Sequence, residues 1–132
     1  DVLPGAMQLL QELHENDIKI GLGSASKNAR TVLDAIGLTP LMDVIGDGYS
    51  VERSKPEPDL FLFVAHELEV KPEFSVVFED AEAGIKAANR AGMYAVGIGD
   101  AERLPGSDVV YPNLEGLTLE KITSGLQAAR AY

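Results

Sequence analysis

The run Ser75-Val76-Val77-Phe78-Glu79-Asp80-Ala81-Glu82-Ala83-Gly84 passes from a compact apolar segment straight into two adjacent carboxylates. Ala81, Ile85 and Ala88 then recur at helical spacing, and the helix is expected to end near Gly92. A second apolar run follows from Tyr94 to Ile98. A short buried strand, a helix and another short strand make a unit whose two strands lie parallel in one sheet.

The same alternation extends in both directions. Upstream, Ala6, Leu9, Leu10 and Leu13 mark a helix after Pro4-Gly5, and Ile18 to Gly23 reads as a strand ending in glycine. Ala29, Val32, Leu33 and Ile36 form a second helical stripe closed by Gly37, and Leu41 to Ile45 is a short strand. Gly46 to Pro58 is a loop rich in Gly, Pro and charge, before a third helix carrying Phe61, Val64, Ala65 and Leu68. Downstream, Val109 to Tyr111 reads as a strand, and Ile122, Leu126 and Ala129 mark a last helix. The chain is therefore expected to form one α/β domain over residues 1–132, a Rossmann-like three-layer sandwich with a mainly parallel sheet. In such sheets ligands bind outside the carboxyl ends of the strands, so the residues just after each strand are the ones that matter.

Composition narrows the function. With 132 residues and 45% hydrophobic content the chain can bury a real core. A formal net charge of −10 argues against a nucleic-acid surface, which needs clustered Lys and Arg. No apolar run approaches the roughly 20 residues needed to span a bilayer, and the first residues lack the basic, apolar character of a signal peptide. The absence of cysteine excludes a disulfide or Cys–zinc framework and is compatible with a reducing compartment, so a cytoplasmic location is expected. The chain starts at Asp1 without an initiator Met, which hints at a processed, trimmed or excised chain.

Three loops carry chemistry. Gly23-Ser24-Ala25-Ser26-Lys27-Asn28 follows the first strand and opens a helix, so small residues, free N–H groups, two hydroxyls, an ammonium and an amide face one place. Ser26 serving only as an N-cap is the simpler alternative. Gly21-Leu22-Gly23-Ser24-Ala25-Ser26 also falls one residue short of the dinucleotide fingerprint, with Ser in the third small position. In the second loop, Ser54-Lys55-Pro56-Glu57-Pro58-Asp59, two prolines stiffen the segment that carries Lys55; a simply solvated lysine is the alternative. In the third, Glu79 and Asp80 repel each other unless a cation or a helix N-terminus stands near, and their oxygens suit Mg²⁺. Asp80 capping the helix, with Glu79 in solvent, is compatible with that. Together the loops place anion donors, a fixed lysine and paired carboxylates at one sheet edge, as phosphoryl transfer requires. His14 and His66 lie within helical stretches and receive no role, and Asp43, Asp47 and Glu52 read as solvated loop or turn residues.

The order of these loops resembles the second, third and fourth motifs of the haloacid dehalogenase superfamily, and the likeness runs from Pro4-Gly5 to the last helix. The Ser-x-Ser-Lys-Asn form of the first loop is similar to the β-phosphoglucomutases, which interconvert β-glucose 1-phosphate and glucose 6-phosphate. The resemblance implies that Ser24 and the Ala25 backbone contact the transferring phosphoryl group and that Lys55 neutralises it and pairs with the nucleophile. It implies that Ser26, Lys27 and Asn28 grip a second phosphate, and that Glu79 and Asp80 help hold Mg²⁺. The substrate implied is a small phosphorylated sugar. A sugar-phosphate phosphatase, or a non-catalytic module that binds a phosphorylated ligand or a partner, are the alternatives. The superfamily's Asp-x-Asp motif, which supplies the nucleophile and the general acid/base, does not occur in this chain, nor does a helical cap domain. The chain alone is therefore expected to be inactive. The strand that carries that motif sits mid-sheet in the family, so a slot roughly 9–10 Å wide, two strand spacings, is expected. It would be closed by neighbouring strands moving together, by self-association, or by a partner strand.

Overall fold

The computed structural model describes residues 5–24, 39–47 and 50–130. The described elements are α1 (Ala6–Glu15), β1 (Gly21–Gly23), β2 (Val44–Gly46), α2 (Asp59–Glu67), β3 (Val76–Glu79), α3 (Glu82–Ala91), β4 (Tyr94–Ile98), β5 (Val109–Tyr111) and α4 (Leu119–Ala129). Short 3₁₀ turns occupy Thr39–Leu41, Pro72–Phe74 and Ala101–Arg103. The helical stripe at 29–36, with Gly37, lies outside the described residues.

All described pairing is parallel. β3 runs beside β4, with Val76 opposite Tyr94 and Glu79 opposite Gly97, and β4 runs beside β5, with Val96 opposite Val109. Among the described residues β1 pairs only with β2, Gly21 opposite Val44 and Gly23 opposite Gly46. The layers follow from alternation along β4. Ala95 faces one core with Val77, Ile85, Ala88 and Met93, whereas Val96 and Ile98 face the other with Leu9, Ile122 and Leu126. Thus α3 covers one face, α1 and α4 the other, and the three-layer α/β sandwich expected from the alternation is what forms.

Glycine sets how closely α2 approaches β1 and β2. A Cβ at Gly21 would run into Val64, and one at Gly46 would stand 2.9 Å from Val64 and 3.2 Å from Leu60. Phe61 and Ala65 of α2 share the core of Val77 and Ile85, so α2 joins the two-stranded and three-stranded sheets through side chains. Backbone hydrogen bonds do not join them: among the described residues β1 and β3 make no ladder with each other. Closure of the slot by pairing of these neighbours is therefore not what the structure shows, and among the described residues each strand keeps an edge without a ladder partner. Val76, read from sequence as part of a buried strand, is 40% exposed, and only Val77 is fully buried.

Two boundaries also moved. The first strand is Gly21–Gly23, not Ile18 onward, because the Ile20 N–H donates to the Asp43 carboxylate at 2.6 Å and the Ile20 carbonyl accepts from the Asp43 N–H at 2.7 Å. Asp43, exposed in a bend as the sequence suggested, is thus also a clasp between the entries to β1 and β2. Leu41 belongs to a 3₁₀ turn, which delays β2 to Val44. No helix among the described residues is long and apolar enough to cross a membrane.

Candidate functional site

The carboxyl ends of β1 and β3 meet at one ammonium. Lys55 Nζ donates to the Gly23 carbonyl at 3.3 Å and to Glu79 Oε2 at 3.1 Å. Its side chain is 19% exposed and that of Glu79 12%, so the pair is partly shielded from solvent and screened less than a surface pair. The ammonium also lies 4.9 Å from the centroid of the Phe61 ring, within the range of a cation–π contact. Lys55 is therefore held, not solvated.

The loop that presents Lys55 is tied at several points. Glu57 N–H donates to the Ser54 carbonyl at 3.0 Å, which makes a turn around Lys55 and Pro56. Arg53 grips Asp59 with both arms of its fork, Nε to Oδ2 at 3.0 Å and Nη2 to Oδ1 at 2.7 Å. Those hydrogen bonds, and then the charge of Asp59, raise the already high pKa of the Arg53 guanidinium. Arg90 from the last turn of α3 reaches back to the Pro56 carbonyl at 3.3 Å.

Glu79 folds beneath the start of α3. Its Oε1 accepts from the N–H groups of Asp80 at 3.1 Å and Ala81 at 3.2 Å. Ala81, in the N-cap position, offers no side-chain cap, so the Glu79 carboxylate supplies charge to that helix terminus instead. Gly84 makes room for it: a Cβ there would collide with the Glu79 carboxyl group. Neither Glu79 in solvent nor Asp80 as the helix cap describes this terminus. Asp80 is exposed, and its carboxylate hydrogen-bonds to none of the described residues.

Ser24 follows β1 directly, and its N–H donates to the Gly46 carbonyl at 3.0 Å. Ala25, Ser26, Lys27 and Asn28 lie outside the described residues. Of the remaining sequence candidates, Lys55 contacts Glu79 and the carbonyl that precedes Ser24, while Asp80 is the next residue after Glu79. Sequence reasoning missed Phe61 as the ring under Lys55, Arg90 as a tie on its loop, and Gly84 as the space for Glu79. Phe61 was visible only as one more apolar residue of a helical stripe, and Gly84 only as a helix-weakening glycine, a signal that does point to close approach.

Donor chemistry here suits a hard cation: the exposed Asp80 carboxylate and the Glu79 carboxylate that is already paired. Among the described residues no group of three or more His, Asp or Glu could hold a metal ion. Asp80 and Glu79 thus fit as part of a Mg²⁺ shell and do not complete one. The incomplete dinucleotide fingerprint has a different explanation. Gly21 and Gly23 lie within β1, and a Cβ at either would press on α2, at Val64 and Phe61 respectively.

Comparison with known proteins supplies the remaining facts. A family model described as a haloacid dehalogenase-like hydrolase matches residues 1–92. The chain is 42% identical over 120 residues to a β-phosphoglucomutase of Bacillus subtilis (strain 168), covering 91% of this chain and 53% of that protein. It is 37% identical over 115 residues to a validoxylamine A 7'-phosphate phosphatase of Streptomyces hygroscopicus subsp. limoneus, covering 83% and 54%. The crystal structure of a β-phosphoglucomutase from Clostridium difficile superposes with a TM-score of 0.95 at 39% identity, covering all of this chain and 59% of that one. The chain therefore spans about half the length of the relatives it matches.

Proposed function

This chain belongs to the haloacid dehalogenase-like hydrolases, and from that premise we propose that it is the core of a phosphoryl-transfer enzyme acting on a small phosphorylated sugar. The reaction proposed is of the β-phosphoglucomutase type, β-glucose 1-phosphate to glucose 6-phosphate through an aspartyl phosphate, in the intact cytoplasmic protein. The observation that carries it is the partly shielded Lys55 ammonium between the Gly23 carbonyl and the Glu79 carboxylate, at the carboxyl ends of β1 and β3.

The residues divide the work as follows. Lys55 neutralises charge on the transferring phosphoryl group, and Ser24 with the Ala25 N–H positions its oxygens. Ser26, Lys27 and Asn28 hold the second phosphate of a bisphosphate intermediate. Asp80, with Glu79, takes a share of a Mg²⁺ ion, which when bound offsets negative charge during transfer. Because no Asp-x-Asp occurs in residues 1–132, which we read as one domain, the proposal assigns the aspartate nucleophile and its acid/base partner to another segment of the protein.

A phosphatase is the second reading, supported by the relative named as a validoxylamine A 7'-phosphate phosphatase. It shares the site and changes only the acceptor to water. Two measurements separate the possibilities. The 132-residue chain incubated with β-glucose 1-phosphate, Mg²⁺ and a bisphosphate primer should form no glucose 6-phosphate; turnover would overturn the assignment of the nucleophile to another segment. In the intact protein, Lys27→Ala should lower mutase turnover by tenfold or more, about 1.4 kcal/mol of transition-state binding, and change phosphate release far less. An equal loss in both assays favours the phosphatase. A reading frame with no Asp-x-Asp outside this chain would favour the non-catalytic binding module. The bare edges of β1 and β3 fit an added parallel strand from the rest of the protein or from a partner, since each has ladder groups to satisfy.

A further inference from the structure

We infer that Arg90, on the far end of α3 from the carboxylates, is a positioning residue that acts through Lys55. The inference rests on the role of Lys55 proposed above. Helix α3 starts at Glu82, directly after the Asp80 and Ala81 N–H groups that hold the Glu79 carboxylate, and carries Arg90 in its last turn before Ala91. Arg90 Nη1 donates to the Pro56 carbonyl at 3.3 Å and stands 3.6 Å from Glu57 Oε1. Pro56 and Glu57 are the two residues after Lys55. The backbone that bears the ammonium is thereby fastened to the same helix whose start holds its carboxylate partner, and the 3.1 Å Lys55–Glu79 contact is fixed from both sides.

The other ties do not perform this task. The Arg53–Asp59 fork closes the loop on its own following helix, and the Ser54–Glu57 turn is internal to the loop. Each shapes the loop without relating it to α3. Phe61 supports the ammonium from below but belongs to α2. Of these ties, Arg90 alone bridges the loop of Lys55 and the helix of Glu79 by polar contact. Both contacts come from Nη1, at the end of a side chain longer than that of lysine, so an ammonium of shorter reach would serve them less well.

The test is trace acetylation of the intact protein with acetic anhydride, read lysine by lysine by mass spectrometry, with exposed Lys71 as internal reference. In the unaltered chain Lys55 should react more slowly than Lys71, because its ammonium is engaged. Arg90→Gln should raise the Lys55 rate relative to Lys71 by about two- to fivefold, the range an exposed ion pair supports. Arg90→Lys should restore part of the protection. Lys71 and Lys86 should keep their relative rates, and far-UV circular dichroism should be unchanged, as a merely structural role would alter all lysines together. If Arg90→Gln unfolds the chain, Arg90→Lys against the unaltered chain carries the comparison. An unchanged Lys55 rate in the folded variant, or a Lys55 as reactive as Lys71 from the start, would overturn the inference. The readout involves no catalysis. Loss of protection in a protein that transfers no phosphoryl group leaves the brace standing and removes the function; unchanged protection in an active protein does the reverse.

Discussion

Substituting Gly84 by alanine tests the placement of Glu79 by the sign of its effect. In a helix, Gly→Ala stabilises by about 1 kcal/mol when nothing opposes it. Here the new methyl would occupy the space of the Glu79 carboxyl group. The collision itself is cheap, because Glu79 can rotate away; its cost is the contacts the carboxylate then loses. Those are the hydrogen bond from Lys55 at 3.1 Å and the two from the Asp80 and Ala81 N–H groups at 3.1 and 3.2 Å. A hydrogen bond to a charged group contributes about 1.5–3 kcal/mol net. The two amides belong to exposed residues and regain water, so most of their share is recovered. The expected loss is about 2–3 kcal/mol against the gain of about 1, a net destabilisation of about 1–2 kcal/mol. Urea unfolding followed by circular dichroism measures it. Repeating Gly84→Ala in a Glu79→Ala background removes the obstacle and should return the ordinary stabilisation of about 1 kcal/mol, a coupling that a double-mutant cycle reads directly. If Gly84→Ala stabilises the otherwise unaltered chain by about 1 kcal/mol, Glu79 does not lie under the helix start, and its pairing with Lys55 must be abandoned.

Ala81→Ser supplies the side-chain cap that α3 lacks and should stabilise the chain by about 1 kcal/mol in the same urea assay. Asp108 tests acid stability. Burial alone would raise its pKa, but the hydrogen bonds from Arg130 at 2.7 and 2.9 Å, the Ala95 N–H at 2.8 Å and the charge of Arg130 hold it below the ordinary carboxylate value. A carboxyl depressed in the folded state contributes stability that is complete above its unfolded pKa of about 3.9 and is lost as pH falls through the lower folded value. Below about pH 4 the unaltered chain should therefore lose stability more steeply than Asp108→Asn, as thermal melts across pH 2–6 would show. Magnesium should bind the 132-residue chain weakly, because Asp80 is the one free carboxylate of the pair and Glu79 is engaged by Lys55. Calorimetry at millimolar Mg²⁺ should show no saturable heat, and a tight site would contradict the incomplete shell.

The parts of this fold that could be read from sequence are those whose side chains repeat with a single period. β4 and β5 fall where the apolar runs placed them, and α3 ends at Gly92, as its sequence suggested. The parts that could not be read depend on one residue meeting another far along the chain. Asp43 has the composition of a turn residue and becomes a strand clasp only because Ile20 arrives beside it. Val76 looks like core because nothing local records that its strand has a bare edge. The candidate site divides in the same way. Lys55, Glu79 and Asp80 announced themselves by type and by position after a strand or before a helix. Their relation did not, because Lys55 and Glu79 could have met solvent and a helix N-terminus separately, each with an adequate local explanation. What makes them one site is that Phe61, Gly23 and Gly84 leave the ammonium and the carboxylate a shared place, and those three residues are individually ordinary. A function carried by convergence is thus specified less by its charged residues than by the small and apolar ones that let them approach. For that reason Gly84→Ala, a change of one methyl group in a residue with no chemistry of its own, is expected to disturb the Lys55–Glu79 pair.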